Sequence, residues 1–136
     1  MCGIVGGRGA NVVNCIDQMV NLIAHRGPDY SAYWSHDDIA LGHARLSIID
    51  TGPSSNQPFW DDTGRYCLIY NGEIYNYHLL KKELMSVGAK FRSEGDTEVL
   101  LQALIHYGVD ILSKIEGIFA FCFYDSLDNT LVLARD

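Results

Sequence analysis

An α+β domain of layered antiparallel sheets is the architecture expected of this chain. Strand patterns come first, helical patterns follow, and an apolar hairpin closes the sequence, whereas a doubly wound parallel sheet would alternate strand and helix throughout. At 136 residues the chain is sized for one domain with a real core. No internal repeat, low-complexity tract or interdomain linker divides it.

Ile4-Val5 reads as a short buried strand, and Gly6-Gly7-Arg8-Gly9 as the loop after it. That loop is no phosphate cradle, because no Lys-Ser/Thr pair follows and no long strand precedes it. Val12, Val13, Ile16, Met19, Val20 and Ile23 recur at helical spacing, which predicts a helix over about Val12–Ala24. His25-Arg26-Gly27-Pro28-Asp29 stops it. Tyr30 to Asp50 reads as a hairpin or meander. Ser31–Trp34 and Ile39–Leu41 flank a polar turn at His36-Asp37-Asp38, and the second strand runs on to Asp50.

Thr51 to Asp62 is a loop rich in Gly, Pro, Ser and Asn, and Tyr66–Tyr70 is a buried strand ending at Asn71-Gly72. Asn76 can cap the next helix, whose inward face carries Leu79, Leu80, Leu84 and Val87 and which stops at Gly88. After a connector over Phe91–Gly95, Asp96 or Thr97 caps a third helix, Glu98–Tyr107, ended by Gly108. Ile111, Leu112 and Ile115 suggest a short helical segment. Ile118–Tyr124 and Thr130–Ala134 form two strands around a turn at Ser126-Leu127-Asp128-Asn129. The aromatic run Phe119, Phe121, Phe123 and Tyr124 is core strand.

A net charge of −7 argues against nucleic acid or an anionic membrane surface as partner. No apolar run approaches the ~20 residues of a membrane span, and no secretory signal is visible, so the expected compartment is the cytoplasm. Cys2, Cys15, Cys67 and Cys122 are spread without paired zinc spacing, so no metal site is expected. Cys15, Cys67 and Cys122 lie in apolar patterns and read as reduced core filler.

Cys2 is different. Removing Met1 would give one residue both a thiol, ordinarily near pKa ~8.5, and an α-amine near ~7.7–8.0. An amine titrating there can serve as general base for the adjoining nucleophile without a histidine. On position alone, an ordinary small residue at a frayed terminus is the alternative.

Four segments weigh together: Cys2-Gly3-Ile4-Val5-Gly6, Gly42-His43-Ala44-Arg45-Leu46-Ser47-Ile48-Ile49-Asp50, Tyr70-Asn71-Gly72-Glu73-Ile74-Tyr75-Asn76 and Gly95-Asp96-Thr97-Glu98. With His25-Arg26-Gly27-Pro28-Asp29 and Leu131-Val132-Leu133-Ala134-Arg135-Asp136, they resemble, in order, the glutaminase domain of glutamine-hydrolysing asparagine synthetases. These are class II glutamine amidotransferases of the N-terminal-nucleophile hydrolase superfamily. The resemblance implies a four-layer αββα sandwich filling residues 1–136 and stopping short of the family's C-terminal boundary, with the synthetase domain absent.

The resemblance also implies roles. Cys2 would attack the side-chain amide of glutamine, forming a γ-glutamyl thioester and releasing ammonia, with its own α-amine as proton shuttle. Asn71, through its side-chain amide, and Gly72, through its backbone N–H, would form the oxyanion hole; a tight hairpin turn is the alternative reading of that pair. Arg45 would grip the α-carboxylate, since a guanidinium fork matches it bidentately, although an exposed strand arginine reads equally well from sequence. Asp96, with Glu73 assisting, would hold the α-ammonium while also capping its helix, and backbone around Leu46 and Ile48 would line the pocket. His43 is expected to pack or hydrogen-bond beneath Arg45.

No cofactor is implied in this domain. ATP and Mg belong to the synthetase domain that would follow, and no Ser-Gly-Gly-x-Asp-Ser pyrophosphate loop occurs here. The implied partner is an asparagine-synthetase-type synthase domain or subunit, and the Thr130–Ala134 edge invites a homodimer. Two other functions stay open: a non-catalytic glutamine-binding or assembly module, and an N-terminal hydrolase acting on another amide. The opposed charges of Arg45 and Asp96 disfavour the second, because they answer a free zwitterionic amino acid.

Overall fold

The computed structural model describes residues 1–48 and 52–136. Ile49 and Asp50, expected in the second strand, and Thr51, expected to open a loop, lie outside the described residues.

Strands β1 (Gly3–Arg8), β2 (Tyr30–His36) and β3 (Ile39–Arg45) form one antiparallel sheet in the order β1-β3-β2. Strands β4 (Phe59–Trp60), β5 (Tyr66–Ile74), β6 (Gly117–Asp125) and β7 (Thr130–Arg135) form a second, in that order. Helix α1 (Ala10–Ile23) covers the outer face of the first sheet; α2 (Tyr77–Ser86) and α3 (Asp96–Tyr107) cover that of the second. The result is a four-layer αββα sandwich.

Strand alternation explains both cores. The middle strand β3 is buried at every position because both of its faces are covered. Its small residues, Ala40, Gly42 and Ala44, take the α1 side, where a Cβ on Gly42 would run into Val20 and Ile16. Its large residues start with Ile39 and Leu41, which meet Cys67, Ile69, Cys122 and Tyr124 between the sheets. On the far side of the second sheet, Leu68, Tyr70, Ile74 and Phe121 pack on Leu80 and Leu84 of α2 and on Val99, Leu100 and Leu104 of α3.

Several expectations are corrected. Gly6-Gly7-Arg8 is strand, pairing with Leu41, Ala40 and Ile39, because the ladder with β3 overrides the turn preference of glycine. A Cβ at Gly6 would lie 2.6 Å from the Ala40 carbonyl oxygen, so glycine here permits close strand approach. Likewise β5 does not end at Asn71-Gly72 but pairs through them with Ala120 and Phe119, which removes the hairpin-turn reading. The β3 strand stops at Arg45, and β4 forms inside the expected loop. Cys15 is exposed, one position off the Ile16/Val20 stripe. On α2 only Leu80 and Leu84 are buried; Leu79 is turned about a quarter-circle from them and Val87 lies beyond the last turn, and both are exposed.

The caps differ as well. Asn76 precedes α2 but makes no side-chain cap; its amide donates to the Lys114 carbonyl and its oxygen accepts from Glu116 N–H, tying the helix start to the entry of β6. Gly95, not Asp96 or Thr97, precedes α3, and Asp96 is its first helical residue. Glu98 turns back instead, accepting from Ser93 N–H (2.7 Å) and Ser93 Oγ (2.6 Å), which fixes the connector that delivers Asp96.

Candidate active site

The alternation that builds the inter-sheet core also builds the site. Continuing from Ile39 and Leu41, β3 places His43 and Arg45 on the face toward the second sheet. Continuing from Cys67 and Ile69, β5 places Asn71 and Glu73 opposite them. Ile4 of β1 packs on the same core, so Cys2, two residues earlier, comes to that side too. The inter-sheet layer is thus apolar at one end and polar at the other, and a cavity of about 100 Å³ opens at the polar end.

Cys2, Arg45, Leu46, Ile48, Asn71, Gly72, Glu73 and Asp96, the residues singled out from sequence, all line this cavity. The thiol is held by one residue: Leu46 N–H donates to Cys2 Sγ at 3.3 Å, and Sγ lies 3.6 Å from the Leu46 carbonyl. Arg26 Nε donates to the Cys2 carbonyl at 3.0 Å. The Arg26–Asp29 stretch pins the other wall as well, since Asp29 N–H donates to the Arg45 carbonyl (3.0 Å) and Asp29 Oδ2 accepts from Ser47 N–H (2.7 Å).

Arg45 is buried, and its Nη1 donates to the Gly52 carbonyl (2.8 Å) and Asn56 Oδ1 (2.7 Å), so the loop ahead of β4 closes over it. Asp96 is buried at the first turn of α3, where the helix N-terminus favours a negative charge. Its Oδ2 accepts from Tyr70 OH (2.8 Å) and Ile74 N–H (3.0 Å). Burial nevertheless raises its pKa above the ordinary carboxylate value, against the pull of those two donors. Glu73 and Ile48 are exposed and form the rim.

The register of β5 aims its backbone groups. Tyr75 N–H donates to Glu116 across the β6 side at 2.7 Å, while Tyr70 N–H (to Gln57 Oε1, 2.6 Å) and Ile74 N–H (to Asp96) point to the opposite edge. Antiparallel ladders alternate, so Gly72, midway between Tyr70 and Ile74, directs its N–H and C=O off that opposite edge. The β4 strand does not reach that level, since it starts at Phe59 opposite Leu68 and pairs only with Leu68 and Cys67, so the groups face the cavity.

Gln57, Tyr70, Thr97, Ser55 and Ile118 also line the cavity and were not singled out from sequence. Tyr70 and Thr97 carried a signal, their places beside Asn71-Gly72 and Asp96 in the quoted segments; Gln57 arrives from a loop whose path the sequence does not reveal. His43, expected to pack or hydrogen-bond beneath Arg45, does both as a structural residue next to it on β3. It is fully buried and spans the two sheets, its Nε2–H donating to the Tyr70 carbonyl at 3.2 Å. Burial lowers its pKa to about 4, with the Arg45 charge adding to the effect, so the ring is neutral. Among the described residues no histidine lines the cavity. Among the described residues no group of three or more His, Cys, Asp or Glu could hold a metal ion, and no helix is long and apolar enough to cross a membrane.

Comparison with known proteins now bears on this arrangement. The family profile described as a glutamine amidotransferase domain matches residues 1–136. The chain is 41% identical over 143 residues to asparagine synthetase (glutamine-hydrolyzing) 1 of Bacillus subtilis, covering 100% of this chain and 22% of that protein. It is 40% identical over 135 residues to an amidase of Gibberella zeae, covering 98% of this chain and 20% of that protein. The chain therefore spans about a fifth of the length of these relatives. Among solved structures, glutamine phosphoribosylpyrophosphate amidotransferase from B. subtilis superposes with a TM-score of 0.71 at 23% identity, over 99% of this chain and 36% of that one. That likeness is one of fold. By its sequence and its sandwich of sheets, this chain belongs to the glutamine amidotransferase domain family and has the N-terminal-nucleophile hydrolase fold.

Proposed function

We propose that this domain hydrolyses the side-chain amide of glutamine to glutamate and ammonia, with Cys2 as nucleophile once Met1 has been removed. The observation that carries the reading is the convergence of the Cys2 sulfur, the open Gly72 N–H edge, Asn71, Arg45 and Asp96 on one cavity. With Met1 attached, the nitrogen of Cys2 is an amide and cannot accept a proton. Freed, it takes the thiol proton as Sγ bonds to the amide carbon of glutamine.

The oxygen of the resulting tetrahedral adduct sits against Gly72 N–H and the Asn71 side-chain amide. One such donor typically stabilises the adduct by ~2.7–4 kcal/mol. The C–N bond then breaks, the α-ammonium returns its proton to the leaving nitrogen, and ammonia departs from a γ-glutamyl thioester. Water adds to the thioester carbon, its proton passes through the same amine, and the C–S bond breaks to give glutamate and the free thiol. The Leu46 N–H suits each thiolate stage, since it donates to Sγ without needing a proton from it.

Arg45 and Asp96 supply opposite charges for the α-carboxylate and α-ammonium of free glutamine, with Glu73 adding negative charge at the rim and Leu46 and Ile48 lining the side-chain path. The ammonia acceptor is a substrate of an ATP-dependent asparagine-synthetase-type synthase domain or subunit. A relative named asparagine synthetase supports aspartate as that acceptor. The β7 edge, which carries exposed Leu133, is the place for a homodimer contact.

Glutamate release, followed by a coupled assay on protein whose intact mass shows Cys2 at the N-terminus, tests the reading. Turnover that disappears in Cys2→Ala supports it. Glutamine binding by calorimetry without turnover would assign a binding module instead, and full activity in Cys2→Ala would remove the thioester.

A further inference from the structure

Tyr70 lies at a point where β5 has lost its neighbour on one side, and two side chains from two other segments replace the missing strand. His43 Nε2–H, from β3, donates to the Tyr70 carbonyl (3.2 Å); Gln57 Oε1, from the loop before β4, accepts the Tyr70 N–H (2.6 Å). Gln57 is itself buried and held by Thr97 Oγ1 of α3 at 3.4 Å. The carbonyl that His43 grips belongs to the peptide whose nitrogen is that of Asn71, and the next peptide carries the Gly72 N–H. The His43 Nδ1 is buried with no hydrogen-bond partner among the described residues, so the one polar contact the ring makes there is this donation. A histidine placed only to fill the inter-sheet core would be replaced at lower desolvation cost by an apolar residue such as Ile39 or Leu41 on the same face.

We infer that His43 and Gln57 are positioning residues, a brace that fixes the Tyr70–Asn71–Gly72 backbone so that the oxyanion donors are aimed before substrate arrives. Neither residue need touch the reacting atoms. The brace acts on donors used in the transition state, so its loss lowers kcat more than it weakens glutamine binding. This rests on the glutaminase reading for its kinetic arm.

The test compares His43→Leu, which keeps the volume and removes the donor, with His43→Gln, whose amide N–H reaches to about the same place, and with Gln57→Ala. In protein starting at Cys2, His43→Leu is expected to lower kcat ~10–100-fold, as a sub-ångström to ångström misplacement of such donors does, with KM within about threefold of wild type. His43→Gln recovers most of kcat, and Gln57→Ala lowers kcat in the same sense. A kcat per folded molecule unchanged in both His43→Leu and Gln57→Ala, or a loss carried by KM, overturns the inference. A second readout does not depend on turnover: amide hydrogen exchange at Tyr70 and Asn71 in His43→Leu should accelerate at least tenfold relative to Leu68 and Phe121 in the same strand pair. Uniform acceleration, or none, overturns the brace. A wild-type protein that does not hydrolyse glutamine would overturn the proposed function instead, and the exchange result would still decide the brace.

Discussion

Replacing Gly72 by alanine tests whether the backbone of β5 is part of the catalytic machinery. Its Cβ would point at β6, meeting the Ile118 carbonyl oxygen head-on and lying 2.8 Å from Phe119 Cα and from the Tyr70 ring. Carbon atoms in ordinary contact stand ~3.5–4.0 Å apart, so β5 must recoil by roughly 0.7–1.2 Å. Two of the three obstacles are backbone of a paired strand, which cannot swing aside as a side chain would. The Gly72 N–H moves with the recoil, and a displacement of ~1 Å at a catalytic group typically costs about 100-fold in rate. That corresponds to ~2.7 kcal/mol, the lower end of what one oxyanion donor contributes.

The expected result is therefore a ~100-fold fall in kcat with a smaller change in KM, accompanied by ~1–3 kcal/mol of lost stability from overpacking. Steady-state glutamate release gives the first quantity and urea denaturation the second. Asn71→Ala is the companion, since it removes a donor without steric intrusion and should lower kcat while sparing stability. Gly72→Ala with reduced stability but kcat within threefold of wild type would refute the assignment of its N–H as oxyanion donor.

Arg45→Lys keeps the charge but not the fork, and should raise the KM for glutamine ~10-fold or more with a smaller change in kcat, read from steady-state kinetics. Tyr70→Phe removes one of two donors on Asp96 Oδ2, so the Asp96 pKa rises further and glutamine binding, followed by calorimetry, weakens by ~10-fold and fails at higher pH than in wild type. His43 titrates at about 4 in the folded chain against 6.5 when free, so its neutral form contributes stability that is complete above pH 6.5 and is lost as pH falls toward 4. That loss approaches about 3 kcal/mol, and the pH dependence of thermal unfolding should flatten over this window in His43→Gln. Asp125, itself buried and held to about 2 by its paired bonds with the partly exposed Arg65, adds a second acid-sensitive step between 3.8 and 2, removed in Arg65→Met.

Much of this architecture is legible in the sequence because strand alternation is strictly local. The pairs His43/Arg45 and Asn71/Glu73 each share a face by their spacing alone, and the glycines at 88 and 108, both at positive φ in the structure, mark true helix ends. Where the reading failed, a long-range contact outweighed a local preference. Gly6-Gly7 and Asn71-Gly72 carry turn signals, yet both lie inside ladders whose partners are more than thirty residues away. Asn76 and Asp96 have the chemistry of helix caps, but Lys114 and Glu116 claim the first and Tyr70 and Ile74 the second. Gln57 shows the limit best. Nothing local distinguishes it from its polar neighbours, and its importance comes from Tyr70 and Thr97, which only the folded chain brings to it.

The site exists because β4 is short. A fourth strand long enough to match β5 would pair with Tyr70, Gly72 and Ile74 and fill the cavity with backbone. Starting it only at Phe59 leaves polar groups of those three residues at a largely buried edge, and each unsatisfied group there would cost ~1–3 kcal/mol. The chain answers with side chains at two of the three positions: His43 and Gln57 for Tyr70, Asp96 for Ile74. Gly72, partly exposed and lining the cavity, is the position where no side chain among the described residues takes the backbone's place. Residues that would otherwise read as core polar filler thus complete the sheet on either side of one gap, and in the proposed mechanism that gap is where a substrate oxygen substitutes for the absent strand.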